Sequence, residues 1–294
     1  QIVAIGFQAG HVAMATQAIA IGAQAGYSNQ QTHAIAVGYQ AGYTTQGEDA
    51  VAIGRLAGND QQQDNAVAIG LEAGLDNQSL NAVAIGRRAG RDAQSSNAVA
   101  VGFQAGHHDQ SSQAVAVGFE AGYTDQNENS VAVGSEAGRV TQGTNCVAIG
   151  SQAGYSSQLE AAVAVGLQAG ASSQQEYSIA VGATAGNTTQ QREAIAIGRS
   201  AGQSFQGDNC IAIGSRSQAG ANSAPGQFSQ ETLSVAIGHN CGHTRQGIAT
   251  LGDPGSALAI GNSCSSTDQG ANSIAIGYEA GQSHGLEEFF RLGR

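Results

Sequence analysis

Tryptophan and lysine are absent from this 294-residue chain, and proline occurs only at Pro225 and Pro254. The eleven basic residues are all arginines, set against 22 acidic ones for a formal net charge of −11. Phosphate binding needs a basic stripe, so this balance argues against nucleic acid and anionic membrane surfaces as partners. No run of 18 apolar residues occurs, which argues against direct membrane insertion through a helix. No charged-then-apolar leader opens the chain, which starts at Gln1 already inside a repeat. That start is expected of a chain that has lost a leader or is a piece of something longer. Glycine is abundant (43 residues) but not at every third position, which excludes a collagen helix.

What the chain does have is one short segment, small-Val/Ile-Ala-Ile/Val-Gly, returning seventeen times. Its closing glycine falls at Gly6, Gly22, Gly38, Gly54 and every 16 residues to Gly214, then at Gly238, Gly261 and Gly277. A fixed short period is the signature of a solenoid, in which each coil buries its apolar face against its neighbours. The expected fold class is therefore all-β, a parallel β-solenoid of about seventeen 16-residue coils. Residues 1–214 form the regular block. Residues 215–285 continue it with two insertions (215–230 and 247–256), and 286–294 form a cap or connector. Leu286 to Leu292 departs from the repeat and carries helix-forming residues.

Ala50 to Asn65 (AVAIGRLAGNDQQQDN) serves as the type coil. Ala50-Val51-Ala52-Ile53 alternates small and large residues, so it reads as a strand with two different faces. Gly54 ends that strand, and Ala57-Gly58 makes a second small pair. Eight positions after the strand glycine comes a glutamine, at Gln30, Gln46, Gln62, Gln78, Gln94, Gln110 and onward to Gln206 without a gap. Stacked in register, these amides are expected to form a structural ladder. The asparagines at positions 65, 81, 97, 129, 145, 209 and 272 precede the strand, where Asn tolerates turn geometry.

If the alanines line the interior, the coil is flat and Val/Ile faces outward as an apolar strip. At ~4.8 Å per coil that strip would run about 80 Å and approach or exceed ~1,000 Å², more than a soluble monomer normally exposes. Self-association by rotational symmetry follows, with Val51, Ile53, Val83, Ile85, Val147 and Ile149 in the shared core. The alternative has Val and Ile inside and an exposed flat alanine face. Large variable side chains follow the two glycines, and recognition is expected there, among Phe103, Phe119, Tyr123, Tyr155, Arg87 and Arg91.

The strand with its preceding asparagine, as in Asn81-Ala82-Val83-Ala84-Ile85-Gly86 and Asn272-Ser273-Ile274-Ala275-Ile276-Gly277, resembles the head repeat of YadA-type trimeric autotransporter adhesins. It is also similar to repeats of phage and viral fibres. The resemblance covers nearly the whole chain. It implies a left-handed parallel β-roll, a homotrimer packed through its Val/Ile faces, and attachment to a host surface, a neighbouring structural protein or a glycan. The implied setting is extracellular, on a cell-surface appendage or virion fibre. The strict 16-residue period with its unbroken glutamines departs from the family pattern, and no heptad stalk or anchor barrel is present.

Catalytic readings are poor: no nucleophile–base pair or phosphate-cradling loop stands out, so no catalytic residue, cofactor or metal is expected. His239-Asn240-Cys241-Gly242-His243 only superficially resembles a metal cluster. Glu72, Glu120 and Glu136 share a repeat position, but the coils of Glu72 and Glu120 are three apart, roughly 14 Å, too far for a glycosidase pair. A monomeric solenoid binding a small ligand or ice is the alternative function, although ice binding calls for a regular threonine array and the threonines are scattered. Cys146, Cys210, Cys241 and Cys264 all stand where the repeat has a small residue, and read as packed free thiols. Cys241 and Cys264 are within disulfide range on neighbouring coils, yet side chains stacked in parallel are expected to point alongside each other.

Overall fold

The computed structural model describes residues 1–216, 229–230, 233–242, 245–248, 256–264, 269–270, 272–281 and 290–292. Among them every regular element is a β-strand. The chain divides into two compact units, Gln1–Asn145 and Cys146–Arg294. Each is a parallel β-solenoid.

In the first unit the apolar strands, from Val3–Ile5 to Val131–Val133, stack in parallel at a step of 16 residues. Val51 sits over Val67, Ala52 over Ala68 and Ile53 over Ile69. A second row of polar strands, such as Asp60–Gln62 and Asp76–Gln78, stacks the same way. The second unit repeats the plan from Val147–Ile149 to Ser273–Ile276. There Ile211 pairs with Val235 and Val235 with Leu258, so the apolar row keeps its register across both insertions, while the polar row shifts register between Gln246 and Ile248. Most of the inserted residues, with Pro225 and Pro254, lie outside the described residues. Among the described residues fifteen coils carry both strands, fewer than the seventeen copies of the apolar segment. The coil at Gln46 keeps only isolated bridges, and no polar strand follows Ser273–Ile276 among the described residues. Phe290–Leu292 is a strand rather than a helical turn, paired parallel to Ser273–Ile276. A free strand edge offers unpaired backbone groups, and an aromatic-rich segment suits pairing there.

The interior is alanine and glutamine. Ala50, Ala52 and Ala57 are fully buried, whereas Val51 is partly exposed and Ile53 is 39% exposed. The alanine-inside arrangement is the one adopted, and Val and Ile face out. Each coil closes with two corners, at which Ala57 N–H donates to Gly54 O and Ala66 N–H to Gln63 O. Positive φ occurs at both corners, at Leu56 (60°) and Asn65 (58°), and in the middle of the polar strand, at Gln61 (51°), and all seven pre-strand asparagines share it. Glycine is obligatory at two more positions. A Cβ on Gly86 (φ +128°) would collide with the carbonyl of Gly102, and one on Gly90 (φ +50°) would lie 2.7 Å from Gln94 Cδ.

That second collision exists because the glutamine fills the space beside the glycine. Gln62 Nε2 donates to Val51 O across the coil at 3.0 Å and to Gln78 Oε1 on the next coil at 2.9 Å. The amide thus ties the two layers together and each coil to the next. The ladder runs from Gln30 to Gln142 in the first unit and from Gln158 to Gln206 in the second. At its start Met14 holds the glutamine position, and Gln30 Oε1 has no donor.

Cysteine burial is as expected, with all four side chains inaccessible, and Cys146 and Cys210 are free thiols. The expectation of free thiols fails at Cys241 and Cys264, which form a disulfide. Their Cα atoms are 4.9 Å apart on neighbouring coils, within bridging range. Parallel Cα–Cβ vectors do not prevent this, because rotation about χ1 swings each sulfur along the stack. Cys146 and Cys210 stand four coils apart and have no such neighbour.

Candidate functional surface

Residues after the two glycines project from one corner of each coil, and the 16-residue register turns them into columns. In the first unit His11, Tyr27 and Tyr43 stack face to face at 5.2 and 4.9 Å between ring centroids. Phe103 stacks on Phe119 at 5.3 Å, and the Arg87 guanidinium lies 5.4 Å from the Phe103 centroid. Tyr123 stacks on His107 at 5.0 Å, with Arg139 5.1 Å from its ring on the other side. Cation–π and stacking contacts of this kind hold exposed rings in fixed orientation. Phe119 remains 47% exposed, and Arg87, at the other end of the stack, is also exposed.

Charged groups stitch the same corner. Glu72 accepts a hydrogen bond from Arg88 Nε at 2.8 Å, and the Arg91 and Arg55 guanidiniums stand at ion-pair distances of 3.5 and 3.9 Å. The Arg88 hydrogen bond holds the Glu72 carboxyl below its ordinary range, against the opposing effect of burial. Arg139 grips Glu120 at 2.8 Å. Arg91 also donates to both oxygens of Asp92 at 2.9 Å. Of the six candidate binding residues, the structure therefore joins Arg87, Phe103 and Phe119 in one stack and Tyr123 in another. It commits Arg91 to ion pairs. Tyr155 belongs to the second unit and lines a shallow polar groove of about 280 Å³ with Gln152, Gln168 and Asn187.

Two further features were not signalled by residue type. At Gln46 the polar row lapses into single bridges, leaving an open groove of about 640 Å³ lined by Thr44, Asp60, Gln61, Asp64 and Leu80. Beyond it Asp60, Asp76, Asp92 and His108 occupy one position on four successive coils. Burial, then the charge of Asp92, pushes the Asp76 carboxyl up. His108 Nδ1 lies 2.8 Å from the Asp92 carboxylate. His107 is buried, with neither ring nitrogen hydrogen-bonded. That burial, aided by the neighbouring His108, lowers its pKa to about 4. Reading the sequence at a step of 16 would have found this column, since Asp-Asp-Asp-His is visible at that spacing. The His239–His243 motif is only half placed, because His243 lies outside the described residues.

What the fold and surface define is a class, a parallel β-solenoid repeat protein with an alanine–glutamine interior and an outward Val/Ile face. No family model, curated protein or solved structure matches the chain.

Proposed function

We propose that this chain is a non-enzymatic, adhesive fibre segment that assembles as a homotrimer through its Val/Ile faces. The observation that carries the reading is the outward strip. Ile53, Ile69, Ile85 and Ile149 are each 36–41% exposed, while the interior behind them is already filled by alanine. Apolar columns of this length attract a second surface, and rotational symmetry closes such a contact without leaving a free edge. In the second unit a depression of about 380 Å³ among Leu233, Val235, Leu258 and Ile274 gives this face relief for packing. The left-handed, trimeric β-roll implied by the sequence resemblance accommodates all of this.

Attachment falls to the corner columns, where the stack through Phe103 presents the Phe119 ring at one end and the Arg87 guanidinium at the other on a rigid frame. Weak contacts of one chain, repeated three times, gain by avidity and need no deep pocket. The target is a host surface, a neighbouring structural protein or a glycan. A buried disulfide fits an oxidising, extracellular setting.

Sedimentation equilibrium on the whole chain tests the reading. A trimer is expected, and Ile85→Asp with Ile149→Asp should dissociate or unfold it, because unpaired charges are costly to bury. A folded monomer of the parent sequence refutes the trimer and favours a lone solenoid that binds a small ligand on one face.

A further inference from the structure

His107, His108 and Asp92 each bring a potential ligand atom to within 4.8 Å of the others. Two facts of the fold put them there. Asp92 and His108 hold the same position on adjacent coils, in parallel register, so their side chains leave the polar row side by side. His107 precedes His108 at the corner, and the two rings meet edge to face with centroids 4.1 Å apart.

His107 is the residue that the fold alone does not explain. It is only 5% exposed, yet neither Nδ1 nor Nε2 has a hydrogen-bond partner. A buried imidazole has given up its water contacts and received nothing polar in return. Packing does not require histidine here, because Tyr27, Tyr43, Tyr123 and Tyr155 fill the same position on other coils.

We infer that Asp92, His107 and His108 form a binding site for a zinc-class divalent transition-metal ion. Two imidazole nitrogens and one carboxylate oxygen make a donor set suited to zinc, copper or nickel rather than to calcium or magnesium, which favour oxygen alone. Water takes the remaining position. The ion ties one coil to the next, since Asp92 belongs to one and the histidines to the other. Arg91 now grips both Asp92 oxygens, but it also lies 3.5 Å from Glu72 and keeps that partner when Asp92 turns. The charge of the ion is welcome in this column, where Asp60 and Asp76 stand in register with Asp92. A second cluster, His33, Glu48 and Asp49, is wholly exposed and contains no buried, unpartnered donor.

Calorimetric titration of the full, metal-stripped chain with Zn²⁺ tests the assignment. One strong site per chain is expected. His107→Tyr and His108→Thr install residues that Tyr123 and Thr124 already place at these positions one coil on. Each should weaken Zn²⁺ binding at least ~10-fold, the scale on which even outer ligands matter. His33→Gln should leave binding unchanged. Full affinity in both His107→Tyr and His108→Thr overturns the site, as does loss on His33→Gln alone. If circular dichroism shows His107→Tyr unfolded, His108→Thr and Asp92→Asn, both at partly exposed positions, decide the question.

Discussion

The two faces of the apolar strand and the polar row opposite it invert the usual layout of a globular domain. The largest fully buried side chains are glutamines, while isoleucines stand more than a third exposed on the outside. Space explains the inversion. A 16-residue coil brings its two layers so close that only small side chains, alanine with an occasional serine or cysteine, fit between the strands. The one wider gap, beside the second glycine, admits a long side chain only if its polar end is satisfied. The glutamine meets that condition by bonding to the facing strand and to its own copy. The coil is therefore held from within by hydrogen bonding and close packing. Most of its large apolar surface is left for a contact elsewhere.

The comparison breaks most severely at the ladder. Gln94→Leu removes the acceptor of Gln78 Nε2 and the donor to Val83 O and Gln110 Oε1. With buried amides left unpaired, a loss of about 3–5 kcal/mol is expected in denaturant unfolding. If the variant melts like the parent, the interior is an ordinary apolar core and the ladder is incidental. Next comes a matched pair on one strand. Ala84→Leu overfills the interior and should cost ~1–3 kcal/mol, whereas Ile85→Leu on the outer face should change chain stability by less than about 0.5 kcal/mol. Equal effects would erase the distinction between the faces.

The smallest effect concerns acid. Glu72 titrates below its unfolded value, so the stabilisation it gives is fully present above about pH 4.5 and is lost as pH falls through the folded value. Glu72→Gln should be less stable than the parent at neutral pH, and the difference should shrink below pH 4. A difference independent of pH would mean that the arginines around Glu72 contribute only packing.

Much of this frame was legible before any coordinates. The period placed the strands, Ala52 beside Ile53 marked two unlike faces without deciding which lay inside, and the unbroken run from Gln30 onward foretold the ladder. These are properties of a register, and a register is written in the spacing. The disulfide was not legible, because Cys241 and Cys264 are coupled by a side-chain rotation that spacing does not specify. Nor was the strand at Phe290–Leu292, which forms where an edge happens to be free. At the candidate surface, residue type identified the rings and arginines but not their partners. Arg87 lies over Phe103, and Arg91 is drawn into carboxylates instead. His107 stood among the variable positions, and its importance lies in missing hydrogen bonds, which no sequence displays.

The left-handed backbone of each coil governs how such a chain folds. Three non-glycine residues in nearly every coil of the first unit, such as Leu56, Gln61 and Asn65, sit at positive φ, each costing on the order of 1 kcal/mol or more. One coil in isolation therefore has little reason to hold its shape, and a finished neighbour is what makes the shape favourable. Folding in each unit should start slowly from a small cluster of coils and then advance one coil at a time, each acting as the template for the next. A change that stalls one coil would thus halt growth beyond it, and truncated, part-wound chains would be its visible product.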